Sequence, residues 1–182
     1  NNFSELFLSL TSSISNVGFS LNNSSNNLSF VFLILVIIGG SFFSTSSGIR
    51  FLKIYSLFKY SINEILSYSR PKNIYINKHL FSKDTFKLDE IYKYFLSVIV
   101  FIISLLILTF LLTLSGIDFE SSFKLSILTI MNTVNSSMFG LADFSFYDLH
   151  FITKYYLIFF MIIGRLELLT LLIICKKFLF KN

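Results

Sequence analysis

Residues 30–50 read FVFLILVIIGGSFFSTSSGIR, and the interpretation of this stretch decides the fold. The apolar run from Phe30 to Ile38 covers about half of a hydrocarbon core about 30 Å thick, at about 1.5 Å of helical rise per residue. Glycine, serine and threonine dominate from Gly39 to Gly48, and irregular backbone at membrane depth is tolerated only beside protein or a water-filled cavity. The stretch predicts either a broken membrane helix whose polar part faces a pore, or a helix that ends at Gly39 before an ordinary loop.

The composition is that of an integral membrane protein. Of the 182 residues, 54% are hydrophobic and 14% are charged, and the mean hydropathy is +0.73, which is far more apolar than a soluble domain. In a membrane protein the net charge of +5 first reports orientation, so no nucleic-acid partner is expected. The single cysteine, Cys175, excludes an internal disulfide and a cysteine-based metal site.

Two short apolar segments and two long ones follow a regular order along the chain. Residues 3–14 and 121–134 predict helices too short to span a bilayer, each followed by a polar strip. Residues 91–115 and 151–175 predict spanning helices. The unit of short helix, polar strip, loop and inward-running helix therefore occurs twice.

The charges predict which side of the membrane each connection occupies. Lys and Arg outnumber Asp and Glu by nine to four between residues 50 and 93, which predicts that residues 50–90 are cytoplasmic. Residues 116–150 are acidic and are expected outside, while lysines near the C-terminus place that end inside. Within the basic connection, residues 49–69 have the apolar spacing of an amphipathic helix at the lipid surface.

The two units share a short sequence echo, since Val36–Gly40 reads VIIGG and Met161–Arg165 reads MIIGR. Internal repetition of this kind indicates a membrane transporter or channel. The first unit lacks the leading helix of the second, so we expect the chain to be part of a longer protein. The predicted parts are residues 1–48 (the incomplete unit), 49–90 (the basic connection) and 91–182 (the complete unit).

Three local patterns resemble the C-terminal part of the TrkH/KtrB/HKT superfamily of cation transporters, and within it the TrkH type. Residues 16–20 (NVGFS) resemble a filter strip, and residues 39–50 (GGSFFSTSSGIR) resemble an intramembrane gating loop. Residues 164–172 (GRLELLTLL) resemble the signature of the final helix. With their spacing, these patterns cover essentially the whole chain.

The resemblance implies an all-α membrane protein that takes up potassium and is not an enzyme. It implies a pseudo-fourfold pore of helix-pore-helix repeats, of which this chain holds the third without its first helix and the complete fourth. The expected partners are the missing N-terminal repeats, a second copy in a homodimer, membrane lipid and a cytosolic nucleotide-binding regulatory subunit. The expected location is the bacterial inner membrane, with K⁺ as the transported ion and no cofactor in this chain.

The resemblance also assigns roles to particular residues. The ion filter would comprise Ser15, Asn16, Val17 and Gly18 in the third repeat, and Asn135, Ser136 and Ser137 in the fourth. The gating loop would comprise Gly39, Gly40, Ser41, Ser44, Thr45, Ser46 and Gly48. Backbone carbonyls of the filter would replace the hydration shell of K⁺.

Arg165 lies near the middle of an apolar run, where a charge costs about 2.5–3.5 kcal/mol even on permissive insertion scales. One interpretation pairs it structurally with Glu167 or packs it at a helix interface. The functional interpretation, which the resemblance favours, places Arg165 as a cationic barrier below the filter and makes Glu167 an anchor for the loop or a neighbouring helix.

The fourth strip departs from the family pattern. With Asn16 aligned to Asn135, Ser137 replaces the filter glycine, which weakens the case for strict potassium selectivity. The alternatives are a relative permeable to both Na⁺ and K⁺, or a membrane scaffold that no longer conducts. An enzyme is disfavoured, because His79 and His150 have no partners at ligand or triad spacing.

Overall fold

Apolar runs separated by polar, glycine-containing connections fold into six α-helices in the part of the chain that the structure describes. This computed structural model describes residues 3–19, 28–39, 49, 51–68, 88–134, 137–141, 145–147 and 149–165. The helices are α1 (Phe3–Ile14), α2 (Ser29–Ile38), α3 (Phe51–Ser67), α4 (Leu88–Leu114), α5 (Phe119–Met131) and α6 (Phe151–Arg165). A 3-10 turn covers Ser137–Phe139, and no strand occurs within these described ranges.

A helix occurs at each predicted position within the described residues, and the bounds of α3 and α5 differ from the prediction at both ends. Helix α1 has the predicted limits and α4 begins three residues earlier than predicted. The predicted end of α5 at Val134 is wrong, because Asn132 takes a left-handed conformation (φ 54, ψ 36) and stops the helix after Met131. Residues 166–175, the rest of the predicted last helix, lie outside the described residues.

Helix α4 is the one described helix that is long and apolar enough to cross a membrane. Its span from Glu90 to Leu114 has 25 residues and a mean hydropathy of 3.1, and 33% of the apolar window is buried. Ile103, Leu106 and Phe110 are exposed along it. An exposed apolar surface of this extent is the kind that lipid covers.

Helix α5 lies at the centre of the described residues, where it packs against α2, α4 and α6. Every residue from Leu125 to Met131 is buried, and the same core includes Phe32 and Val36 of α2 and Leu108 of α4. At 13 residues, α5 is only about 20 Å long. It is therefore a short helix surrounded by protein rather than one that spans a bilayer alone.

Three buried hydroxyl groups on the two short helices donate to carbonyl oxygens of their own helix. The Ser126 hydroxyl donates to the Ser122 carbonyl at 2.7 Å, the Thr129 hydroxyl donates to Leu125 at 2.6 Å, and the Ser13 hydroxyl donates to Ser9 at 2.7 Å. These bonds remove the penalty of burying unpaired oxygen. Small residues with such satisfied hydroxyls allow close helix packing in an apolar surrounding.

Candidate functional site

The polar strip after α1 is folded back onto the last turn of that helix. Asn16 is left-handed at φ 57, its backbone N–H donates to the Ser13 carbonyl at 3.2 Å, and the N–H of Val17 donates to the Ser12 carbonyl at 3.0 Å. This is the Schellman pattern of a helix C-terminus. The Ser12 hydroxyl also accepts the N–H of Phe19 at 2.6 Å, so the strip stays against the helix end.

The strip after α5 begins with the same cap. The left-handed residue is Asn132 (φ 54), whose N–H donates to the Thr129 carbonyl at 3.1 Å, while the N–H of Thr133 donates to the Leu128 carbonyl at 2.9 Å. The two caps therefore match Asn16 with Asn132, not with Asn135 as in the sequence alignment. Residues 135 and 136 lie outside the described residues.

The two strips meet directly. The backbone N–H of Val134 donates to the carbonyl oxygen of Val17 at 3.2 Å, and these residues are far apart in sequence. Gly18 has φ +81, and a Cβ added there would overlap the Val134 carbonyl oxygen and lie 2.7 Å from Cγ2 of Thr133. Glycine is required at this position both for its backbone conformation and for the close approach of the second strip.

The electrostatics of the meeting point favour a cation. The C-terminal ends of α1 and α5 both lead into it, and each helix end carries the partial negative charge of unpaired carbonyls. The acidic residues of these two helices, Glu5 and Glu120, lie in their first turns, at the opposite ends. The Ser15 hydroxyl donates back to Thr11 at 2.9 Å. The site thus offers main-chain oxygens and helix dipoles rather than carboxylates.

At the far end of α5, Glu120 pairs with a lysine of the next turn. The Lys124 ammonium lies 2.6 Å from a Glu120 carboxylate oxygen. This hydrogen bond, with the positive charge that makes it, holds the pKa of the exposed Glu120 carboxyl below its ordinary value. The pair therefore belongs to the surface at the start of α5 and leaves the strip end without an acidic group from that helix.

Thr133 carries a buried hydroxyl that has no hydrogen-bond partner among the described residues. The residue is 6% exposed, and it borders a cavity of about 330 Å³ whose lining includes Asn132, Val134 and Met161. A buried unpaired oxygen costs about 1–3 kcal/mol. Such an atom beside the two meeting strips is a candidate oxygen ligand for a dehydrated cation.

The side chain of Asn132 joins the end of α5 to α6. Its amide nitrogen donates to the Met161 carbonyl at 3.0 Å. Three residues later on α6, Gly164 is buried, and a Cβ added there would overlap the Ile130 carbonyl oxygen. The two helices therefore touch backbone to backbone over this short segment.

The side chain of Asn16 joins the end of α1 to α2 in the same way. Its amide nitrogen faces the Val36 carbonyl at 3.1 Å and the Ser13 carbonyl at 3.2 Å, since an oxygen in that position would face only acceptors. Three residues after Val36, a Cβ added to Gly39 would lie 2.8 Å from the Ile14 carbonyl oxygen. We call this combination of asparagine amide and glycine approach the strut contact.

The strut contact occurs twice with identical spacing. In the first copy, Ile14 lies two residues before Asn16 and approaches Gly39, which follows Val36 by three residues. In the second copy, Ile130 lies two residues before Asn132 and approaches Gly164, which follows Met161 by three residues. The sequence echo of VIIGG and MIIGR therefore has a structural counterpart. By this equivalence, Gly39 matches Gly164, and Gly40 occupies the sequence position that Arg165 occupies in the second copy.

The other residues predicted for the site are only partly described. Gly39 is buried and Arg165 is exposed at the end of α6 as described. Ile49, just after the predicted loop, is 5% exposed and belongs to the core. The predicted anchor Glu167 lies outside the described residues. The same holds for the remaining predicted loop residues, which are Gly40, Ser41, Ser44, Thr45, Ser46 and Gly48. Ser137 starts the 3-10 turn that follows the second strip.

Sequence reasoning missed Asn132 and Thr133. A signal for Asn132 was present, because Ile14-Ser15-Asn16 and Ile130-Met131-Asn132 share the pattern Ile-x-Asn at the end of a short helix. For Thr133 the sequence carries no comparable signal, since its importance comes from burial beside a strip that is distant in the chain.

Two comparisons with known proteins agree with each other. The family model described as "TrkH: Cation transport protein" matches residues 1–180. Among solved structures, the potassium transporter TrkH from Vibrio parahaemolyticus matches with a TM-score of 0.81 and 23% sequence identity, over 94% of this chain. The chain covers 36% of the length of that protein. Comparison with curated proteins by sequence gave no match.

Proposed function

The chain belongs to the TrkH family of cation transport proteins, which are not enzymes, and we propose that it forms the third and fourth filter segments of a potassium-conducting pore. The observation that carries the proposal is the contact between the two strips, in which the Val134 N–H donates to the Val17 carbonyl at 3.2 Å. Two short helices from separate parts of the chain deliver their C-terminal strips to one place, as a shared filter requires.

The proposed chemistry is exchange of water for main-chain oxygen. A potassium ion that leaves bulk water needs oxygens of comparable strength, and backbone carbonyls supply them. The carbonyl of Val17 keeps a second lone pair beside its bond to Val134, and the Thr133 hydroxyl is a further candidate. The ends of α1 and α5 add partial negative charge, worth about 0.3–1 kcal/mol per helix when exposed.

We assign the gating loop and the barrier to the two positions that follow the strut contacts. The proposed loop starts at Gly39 and ends before Ile49, and both of these residues are buried. Arg165 would place a positive charge below the filter and oppose long residence of the ion. Glu167 is proposed as an anchor for this region.

The repeat arrangement, location and partners are part of the same proposal. Residues 1–48 and 91–182 would form an incomplete third and a complete fourth helix-pore-helix repeat, joined by residues 49–90. The protein would lie in the bacterial inner membrane with residues 50–90 and the C-terminus in the cytoplasm. Its partners would be the N-terminal repeats of the same protein, a second copy, and a cytosolic nucleotide-binding regulatory subunit.

Selectivity for potassium over sodium is the part of the proposal with a specific alternative. Gly18 is required in the first strip, yet the second strip has no glycine between Asn132 and Phe139. A strip without glycine has fewer accessible backbone conformations with which to aim its carbonyls. This favours a pore that also admits Na⁺, or a protein that keeps the fold as a scaffold without conducting.

Uptake of rubidium and sodium by the full-length gene product tests these possibilities. Cells that lack their own potassium uptake would be supplied with the intact gene or with an empty vector. A selective potassium pore predicts Rb⁺ uptake that excess K⁺ suppresses and excess Na⁺ does not. Equal suppression by Na⁺ supports the permeable relative, and absence of uptake with normal protein in the membrane supports the scaffold.

A further inference from the structure

We propose that Asn132 is a positioning residue, which acts through its side-chain amide to set the height of the proposed barrier, Arg165, relative to the proposed filter. The inference rests on the proposed function and adds to it a role for one side chain outside the ion path. The observation behind it is the strut contact, which the described residues contain twice with the same spacing.

In the second copy the amide acts on the helical turn that carries Arg165. In a regular α-helix the N–H of Arg165 bonds the carbonyl of Met161, four residues earlier. The same carbonyl accepts the Asn132 amide at 3.0 Å, and a carbonyl oxygen has two lone pairs for such shared use. Asn132 also caps the helix that ends in the filter strip. One side chain therefore links the strip and the turn of the barrier.

The close approach of Gly164 to α5 limits the relative movement of the two helices that a single hydrogen bond would allow. Gly164, next to Arg165, lies so close to the Ile130 carbonyl that no Cβ fits, and the Cα of Ile130 would be only 3.2 Å from that Cβ. A hydrogen bond and a backbone contact three residues apart along α6 together fix its rotation and its height against α5.

In the first copy the same contact ends where the loop begins. The Asn16 amide reaches Val36 at 3.1 Å, one turn before residue 40. Gly39 has left the helical conformation (φ −55, ψ 161), so the chain departs from α2 at this point. The first strut would therefore hold the end of α2 against the end of α1, while the second holds the turn of Arg165 against the end of α5.

Asparagine suits both positions because it combines two properties. It tolerates the left-handed backbone that the cap requires, and its amide supplies a donor that can reach the next helix. Substitution by glycine keeps the left-handed backbone and removes the donor. Substitution of Asn132 by aspartate keeps the shape and presents only acceptors to the Met161 carbonyl.

The test is a pair of double-mutant cycles in the full-length transporter, read as the maximal rate of Rb⁺ uptake per amount of protein in the membrane. We expect N132G to change the rate by about fivefold, the worth of one lost hydrogen bond, and to add little in the R165Q background. We expect N16G, whose amide contacts α2 and not α6, to be additive with R165Q.

Additive behaviour of N132G with R165Q would overturn the inference, because Asn132 would then act independently of the barrier. If N132G fails to accumulate in the membrane, N132D decides the same question, and wild-type uptake by N132D would also overturn it. The unmodified transporter separates the two proposals, since absence of Rb⁺ uptake there refutes the proposed function before any strut variant is compared.

Discussion

Replacement of Gly18 by alanine should disable the proposed filter, and the size of the effect follows from two separate energetic costs. The left-handed backbone at φ +81 costs an L-residue about 1–2 kcal/mol. The added methyl group also overlaps the Val134 carbonyl oxygen and lies 2.7 Å from Cγ2 of Thr133, and overpacking typically costs about 1–3 kcal/mol. The overlapping atom belongs to the backbone of the second strip and cannot rotate away as a side chain could. The two strips must therefore move apart to accommodate the methyl group.

Gly116 offers a matched control. It is also left-handed, at φ +89, but a Cβ added there meets nothing within 4 Å. Gly116→Ala should therefore cost only the backbone term of about 1–2 kcal/mol. The difference between the two variants isolates the contact between the strips.

The assay is the initial rate of Rb⁺ uptake by the full-length transporter at several external concentrations, with protein in the membrane measured by immunoblotting. We expect Gly18→Ala to lower uptake at least tenfold relative to Gly116→Ala, since about 1.4 kcal/mol corresponds to a factor of ten. Uptake by Gly18→Ala within twofold of the control, at equal protein amounts, would refute the claim that the meeting of the strips forms the filter.

Three further outcomes are expected in the same full-length protein. Thr133→Val should raise the half-saturating Rb⁺ concentration several-fold without lowering thermal stability, because the lost hydroxyl has no partner in the described part of the chain; an unchanged concentration would remove Thr133 as an ion ligand. Shortening residues 41–47 should increase Rb⁺ flux if the loop obstructs the path, and unchanged flux would end the gating proposal. Gly164→Ala should destabilise the solubilised protein by about 1–3 kcal/mol, because its methyl group overlaps the Ile130 carbonyl; a melting temperature equal to that of the unmodified protein would contradict the backbone contact.

The helices could be predicted from the sequence because run length and composition determine them. An apolar segment of 12 residues such as α1 cannot span a bilayer, whereas the run inside α4 can. The confirmed positions of α1, α2 and α4 follow from this simple length argument. The family could also be recognised, because its patterns lie within contiguous stretches of chain.

The register of the second strip could not be predicted from composition or length. Asn132 and Asn135 both lie in a polar stretch, and either can tolerate the left-handed conformation that ends a helix. Which of them caps α5 depends on the partner that its side chain finds, and Asn132 finds the carbonyl of Met161. That partner lies 29 residues away, beyond the reach of any local pattern.

The strut contact explains which positions of the sequence echo agree and which differ. Gly39 and Gly164 agree because a backbone carbonyl occupies the space of their missing side chain. Val36 and Met161 differ because the contact uses only their carbonyl oxygens. The strut contact places no demand on the identity of the residue that follows each glycine. The two copies can therefore differ in sequence at that point, where residue 40 is glycine and residue 165 is arginine.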